Sequence, residues 1–199
     1  MLEADFNVWC DDSNMLSPEE LARCTWTEAD DKSMAEIVES SLEKFVLSDD
    51  VAKIPAKPSD VAKYILKNQG KMSTRKLQKL CYYAQAWHYT WTGERLFKED
   101  FQAWEHGPVC RELFNLHKGK YDIKAEDIDG NPDNLTADQK DSIDIVLEHY
   151  GNLTADELVE LTHSEEPYKK ARGNLPDDVH SGNIISLESM KEYYSKHLI

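Results

Sequence analysis

None of the four cysteines, Cys10, Cys24, Cys81 and Cys110, stands in a CxxC pair. That pattern fits neither a zinc site nor a disulfide framework. The seven histidines include no HExxH pair, so a zinc-hydrolase helix is excluded as well. No glycine-rich loop stands before a Lys-Ser or Lys-Thr pair, which removes the phosphate cradle of nucleotide hydrolases. No apolar run approaches the roughly 20 residues needed to span a bilayer. The opening MLEADFNVWC has acids where a secretory leader needs a basic start and an apolar core. The expectation is a cytoplasmic protein with reduced thiols and no membrane attachment. There is no internal repeat and no low-complexity tract.

What is present is enough for a packed core. Hydrophobic residues make up 40 % of the 199, and charged residues 31 %, so the core lies under a well-solvated surface. The net charge of −15 is uneven. Residues 1–56 hold 14 acids and 4 bases, a net −10, and the remaining 143 residues hold 24 and 19, a net −5. Nucleic-acid affinity comes mostly from Lys and Arg displacing counterions, so direct binding to DNA or RNA is disfavoured. A basic protein partner would be attracted, although an acidic surface also serves solubility alone.

Along the chain, Ser17, Pro18 and Glu20 open a short helix over 18–25. Met34, Ile37, Val38, Leu42, Phe45 and Val46 then share one helical face. Pro55 and Pro58 mark a linker, which divides the chain into an acidic N-terminal extension, 1–56, and a domain, 57–199. In the domain, Ser59 is read as the cap of a helix stopped by Gly70, and Ser73 or Thr74 as the cap of the longest helix. On that helix Leu77, Leu80, Cys81, Ala84, Trp87, His88 and Trp91 form a buried stripe that ends at Gly93. Alternation at Phe101, Ala103 and Glu105 predicts a short strand. Gly107-Pro108 is read as its end and as the start of a helix with Val109, Leu113 and Leu116 inward. The capping boxes Thr136/Gln139 and Thr154/Glu157 predict two further helices. A loop carries Pro167, Tyr168 and Arg172, and Ser186 caps a last helix reaching about His197. The fold class is therefore mainly α: a compact domain of about six helices with at most a small β-hairpin, plus a helical N-terminal extension.

Chemical motifs are weak. Asp127, Asp129, Gly130 and Asp133 resemble a calcium loop, but the first ligand position would fall on Ala125 and the bidentate acid on Thr136. The stretch reads as an acidic surface loop. His88, on the core stripe, reads as a hydrogen-bonded packing residue. His106 lies in Trp104-Glu105-His106-Gly107-Pro108, where a couple with Cys110 can be drawn, but no orienting acid is indicated. Lys67, Lys71, Arg75, Lys76 and Lys79 cluster about one helix start. They suit either an acidic partner or, preferably, the tethered acidic extension. No catalytic residue, metal or cofactor is assigned.

Four blocks carry a resemblance: KLQKLCYYAQAWHYTWTGERLF (76–97), FQAWEHGPVCREL (101–113), YGNLTADELVELTHSEEPYKKAR (150–172) and ISLESMKEYY (185–194). Across Asp60 to Tyr194 the chain resembles the Panacea antitoxin domain, a phage-associated family that includes SocA-like and GepA-like proteins. The resemblance implies an antitoxin that neutralises a protein toxin by direct contact, with no enzymatic activity. One branch of the family resembles a protease adaptor, which gives the alternative of a phage-encoded regulator that delivers a target for degradation. Trp104, Pro108, Glu166, Pro167 and Arg172 match family positions. His106 departs from the aromatic residue, usually tyrosine, expected before Gly-Pro. The residues singled out for partner binding are Trp9, Trp26, Phe45, Val46, Trp104, His106 and Arg172. The partner expected is a basic, RNA- or nucleotide-directed toxin, with self-association left open.

Overall fold

A helix whose every residue from Leu77 to His88 is buried must be surrounded, and the rest of the domain is arranged to do that. The computed structural model describes residues 55–176, 179–197 and 199. The helices expected in 1–56 fall outside the described residues. Seven α-helices are present among the described residues: α1 (Pro58–Gln69), α2 (Thr74–Thr92), α3 (Arg111–His117), α4 (Ala137–Tyr150), α5 (Ala155–Ser164), α6 (Glu166–Arg172) and α7 (Leu187–Tyr194). α2 is the axis, and α1, α4, α5, α7 and one strand pack on it. Five short strands complete the fold: β1 (Met72–Ser73), β2 (Phe101–Trp104), β3 (Gly107–Cys110), β4 (Asp122–Ile123) and β5 (Ile184–Ile185). β1 pairs with β4, and a second antiparallel sheet runs in the order β3-β2-β5.

The local grammar explains most boundaries. Ser73 Oγ accepts from the Lys76 amide and fixes the start of α2, and Gly93 ends it at φ 77°, in left-handed space. The boxes Thr136/Gln139 and Thr154/Glu157 cap α4 and α5, and Ser186 caps α7. Aromatic packing closes the core: Tyr83 stacks on Tyr150 at 4.1 Å between ring centres, and Trp87 donates to the Tyr150 hydroxyl at 3.1 Å. His88 donates from Nδ1 to Ser142 Oγ at 2.9 Å, because that hydroxyl already donates to the Asp138 carbonyl.

Several sequence expectations are corrected. Gly107-Pro108 does not open a helix. It opens β3, paired with β2 as Trp104↔Gly107 and Ala103↔Pro108, and α3 begins only at Arg111. Proline is tolerated there because β3 is an edge strand. The hairpin expected at most is a three-stranded sheet, with a separate two-stranded one beside it. Residues 166–172, read as a loop, form α6, because Pro167 sits in a first helical turn, where its missing N–H costs nothing. α1 starts at Pro58 rather than after Ser59, with Asp60 accepting from the Lys57 amide at 3.0 Å. The last helix ends at Tyr194, short of His197. Trp91 and Leu116, expected inward, are exposed.

The turn-rich segment after α3 is not a free acidic loop. Buried Asp60 accepts from the Asn131 amide at 2.6 Å and from the Asn134 side chain at 3.2 Å. Gly130 packs so closely that a Cβ would stand 2.3 Å from the Ser59 carbonyl oxygen. The segment is clamped to the start of α1.

Candidate functional site

Gln78 and Lys79 explain how the hairpin is mounted. An edge strand presents unpaired backbone groups, and these two side chains of α2 take the place of a neighbouring strand. Gln78 Oε1 accepts from the Cys110 amide at 2.9 Å, and its amide nitrogen donates to the Cys110 carbonyl at 3.3 Å. The Lys79 ammonium donates to the Pro108 carbonyl at 3.0 Å. Further along α2, Gln85 accepts from the Leu96 and Phe97 amides and donates to the Phe97 carbonyl, fixing the approach to β2. Gly107 completes the fit. Its φ is 92°, and a Cβ there would lie 2.5 Å from Lys79 Cε.

The result is a cleft of about 260 Å³ between the start of α2, the β2–β3 turn and α3. Trp104 meets Phe114 edge-on at 5.0 Å, and Phe114 meets His117 at 5.5 Å. His117 Nε2 lies 2.9 Å from the Gln78 amide nitrogen and so accepts, and burial lowers its pKa, leaving the ring neutral. Lys79, wholly buried in the wall, has its pKa pushed down to about 7 by burial first and by the Arg75 charge second. Arg75 itself reaches outward to Asp156 at 2.9 Å.

The sequence-predicted residues fall into three groups. Trp104 and His106 both line the cleft, with His106 exposed 3.6 Å from Glu105. Arg172 is buried behind them. It donates to the Ala103 carbonyl at 3.2 Å, to Val179 at 2.8 Å and to Pro176, while the Tyr168 hydroxyl donates to the Trp104 carbonyl at 2.6 Å. Arg172 therefore bears on the cleft through the strand that presents Trp104. Trp9, Trp26, Phe45 and Val46 lie outside the described residues. Sequence reasoning missed Phe114 and Gln78, and it read Lys79 only as one of a basic cluster at a helix start rather than as a buried wall residue. The available signal was the near-continuous apolar composition of Leu77–His88, which marks a helix buried on all sides, so its few polar members must bond inward.

The His106–Cys110 couple is not assembled. Cys110 is buried at the far end of β3, its thiol is pushed up to about 12 chiefly by burial, and it donates to Glu112 at 3.6 Å. The basic cluster is largely occupied within the domain: Lys71 pairs with Asp122 at 2.8 Å, Lys76 donates to the Gly151 carbonyl at 2.7 Å, and Lys79 is interior. Among the described residues no group of three or more His, Cys, Asp or Glu could hold a metal ion. No helix among them is long and apolar enough to cross a membrane.

A second buried ionisable group lies at the end of α5. Glu165 accepts from the Tyr194 hydroxyl at 2.6 Å and the Tyr83 hydroxyl at 3.2 Å. Burial raises its pKa to about 7 against the opposing pull of those bonds. Tyr82 lies behind Tyr194, at 3.4 Å between hydroxyls.

The domain is thus a helical platform that carries a mounted hairpin and an aromatic-walled cleft. Compared with known families, residues 77–169 match the family described as antitoxin SocA-like, Panacea domain. Those 93 residues, a little under half of the chain, are similar to that domain. The match runs from the start of the buried stretch of α2 into α6 and contains the whole hairpin. No curated protein and no solved structure matches the chain.

Proposed function

We propose that this protein is an antitoxin that neutralises a cognate protein toxin by direct binding and without turnover of a substrate. The family match over residues 77–169 carries this reading. The cleft supports it, because a partly exposed tryptophan held through its indole N–H by Gln102 and through its carbonyl by Tyr168 is the kind of rigid anchor that protein interfaces favour. Trp104 and His106 are the proposed contact residues, with Arg172 holding them in place. Trp9, Trp26, Phe45 and Val46 are proposed to add contacts from the acidic N-terminal segment, whose charge favours a basic, RNA- or nucleotide-directed toxin. Cys81 and Cys110, both buried and free, suit action in the reducing cytoplasm.

The test is co-expression with the protein encoded beside it. We expect that protein alone to arrest growth, and this chain to restore growth and co-purify with it in a fixed ratio. Failure of the full chain to protect against any neighbouring or pulled-down protein would overturn the reading. Toxin levels followed during protection separate blocking, which leaves the toxin intact, from delivery to a protease. Replacing Trp9, Trp26, Phe45 and Val46 together by alanine should weaken capture if the N-terminal segment takes part.

A further inference from the structure

The cleft gathers basic side chains in a chain that is acidic overall. The chain carries −15, yet two cationic groups, Arg75 and Lys79, converge on the cleft, and Glu105 is the one acid in its wall. That acid faces the turn's own His106. Lys79 has a carbonyl as its hydrogen-bond partner, where a buried ammonium is ordinarily matched by a carboxylate. Arg75 lies one helical turn earlier on α2 and lines the same cleft. The Arg75 guanidinium, paired only at the surface with Asp156, and the Lys79 amine, with one carbonyl as its partner, border an aromatic-walled space where an arriving carboxylate finds donors. The walls select the kind of anion. Trp104 and Phe114 offer apolar faces that a bare inorganic ion would not use.

We propose that the cleft between α2, the β2–β3 turn and α3 receives a carboxylate side chain of the partner protein, with an apolar or aromatic neighbour of that acid packed on Trp104 and Phe114. The proposal rests on the antitoxin reading and names the anchor that reading leaves open. A partner that is basic overall still meets this cleft with one local acid. Arg75 pairs with the incoming carboxylate at the rim, and Asp156, which stands outside the cleft on Arg75's other side, is the group the partner's acid competes with.

The probe is a blocked dipeptide, acetyl-Phe-Glu-amide, titrated against the full chain while nitrogen-15 shifts of the Trp104 indole and the Gly107 amide are followed. The glutamine analogue, acetyl-Phe-Gln-amide, is the control. We expect the glutamate peptide to shift both signals and the glutamine peptide to bind at least tenfold more weakly. Arg75 is exposed, so Arg75→Glu leaves the core intact, disturbs only its surface ion pair with Asp156, and should abolish the preference in a chain that still folds. Equal binding of the two peptides, shifts confined to another face, or no shift at millimolar peptide would overturn the proposal. Toxin capture separates this idea from the broader one. If Arg75→Glu and Trp104→Ala capture and neutralise the toxin as the wild type does, the cleft is not the anchor, although the antitoxin reading stands. If the wild type itself fails to protect, it is the antitoxin reading that falls.

Discussion

Two buried ionisable groups, Lys79 and Glu165, lie at opposite ends of the same problem and are handled differently. Each is almost completely removed from water, and neither is matched by an opposite charge. Glu165 is enclosed in a cage of hydroxyls, with two donors aimed at its two oxygens, so the protein replaces the water it lost. Lys79 can donate three hydrogen bonds, and one carbonyl takes one of them. The acid also borders open space, a cleft of about 190 Å³ shared with Trp87, Tyr150 and Tyr194, but both its oxygens are already bonded. The cation belongs to a wall with open space beside it. A group satisfied on all sides reads as structure, whereas a group left short of partners beside a cleft marks where something else can bind.

The largest effect should come from breaking the cage. Glu165→Ala strands the Tyr83 and Tyr194 hydroxyls and opens a cavity. At pH 6 we expect a loss of about 4 kcal/mol, from two unsatisfied buried donors and the missing side chain. Lys79→Met keeps the aliphatic stem and removes a poorly matched charge, stranding the Pro108 carbonyl alone, so a loss of about 1 kcal/mol is expected. Urea unfolding of both variants measures the contrast, and equal losses would abolish the distinction drawn between the two sites.

Titration sharpens it next. Glu165 ionises near about 7 in the folded chain against an ordinary 4.5. Between those values the folded state holds a proton that the unfolded chain has released, so stability falls as pH rises through this window. Lys79 ionises near about 7 against an ordinary 10.5. Between those values the unfolded chain holds the proton, so its contribution rises with pH from about 7 upward. Subtracting variant from wild-type stability curves isolates each limb. Glu165→Gln should flatten the descent below neutrality and Lys79→Met the ascent above it, each by on the order of 3 kcal/mol. The second comparison stops near pH 10, where the buried tyrosines, Tyr82, Tyr83 and Tyr194, resist ionising in the folded state and reverse the trend. A wild-type curve indifferent to both substitutions would show that neither group is perturbed.

Much of the scaffold was legible because it rests on local rules. Ser73, Thr136, Thr154 and Ser186 announce their helices by capping chemistry, Gly93 announces its stop, and the alternation at Phe101–Trp104 marks β2. The illegible parts depend on tertiary partners. Nothing local says that Pro108 faces the free edge of a sheet rather than the first turn of a helix, or that Pro167 does the reverse. Lys79 reads as a surface base in any linear pattern, and it becomes interior only because the hairpin folds over it. Of the candidate cleft, Trp104 and His106 were readable from the unusual turn sequence. Phe114 and Lys79 were not, because the sequence cannot bring α3 and the middle of α2 to the same wall before the hairpin is placed.

A coupling of about 1 kcal/mol between two substitutions tests that last contact. Gly107→Ala introduces a Cβ 2.5 Å from Lys79 Cε and 3.0 Å from Thr162 Oγ1, at a positive φ that alanine resists. Strain and crowding together should cost about 2 kcal/mol. The Lys79 chain end is flexible, so part of that cost is steric and removable, while the backbone part is not. In a Lys79→Ala background the same glycine substitution should therefore cost about 1 kcal/mol, a coupling visible in a double-mutant cycle. Additive losses would mean that the lysine already moves aside freely. In that case it is not held under the turn, and the wall of the cleft is softer than its hydrogen bond to Pro108 implies.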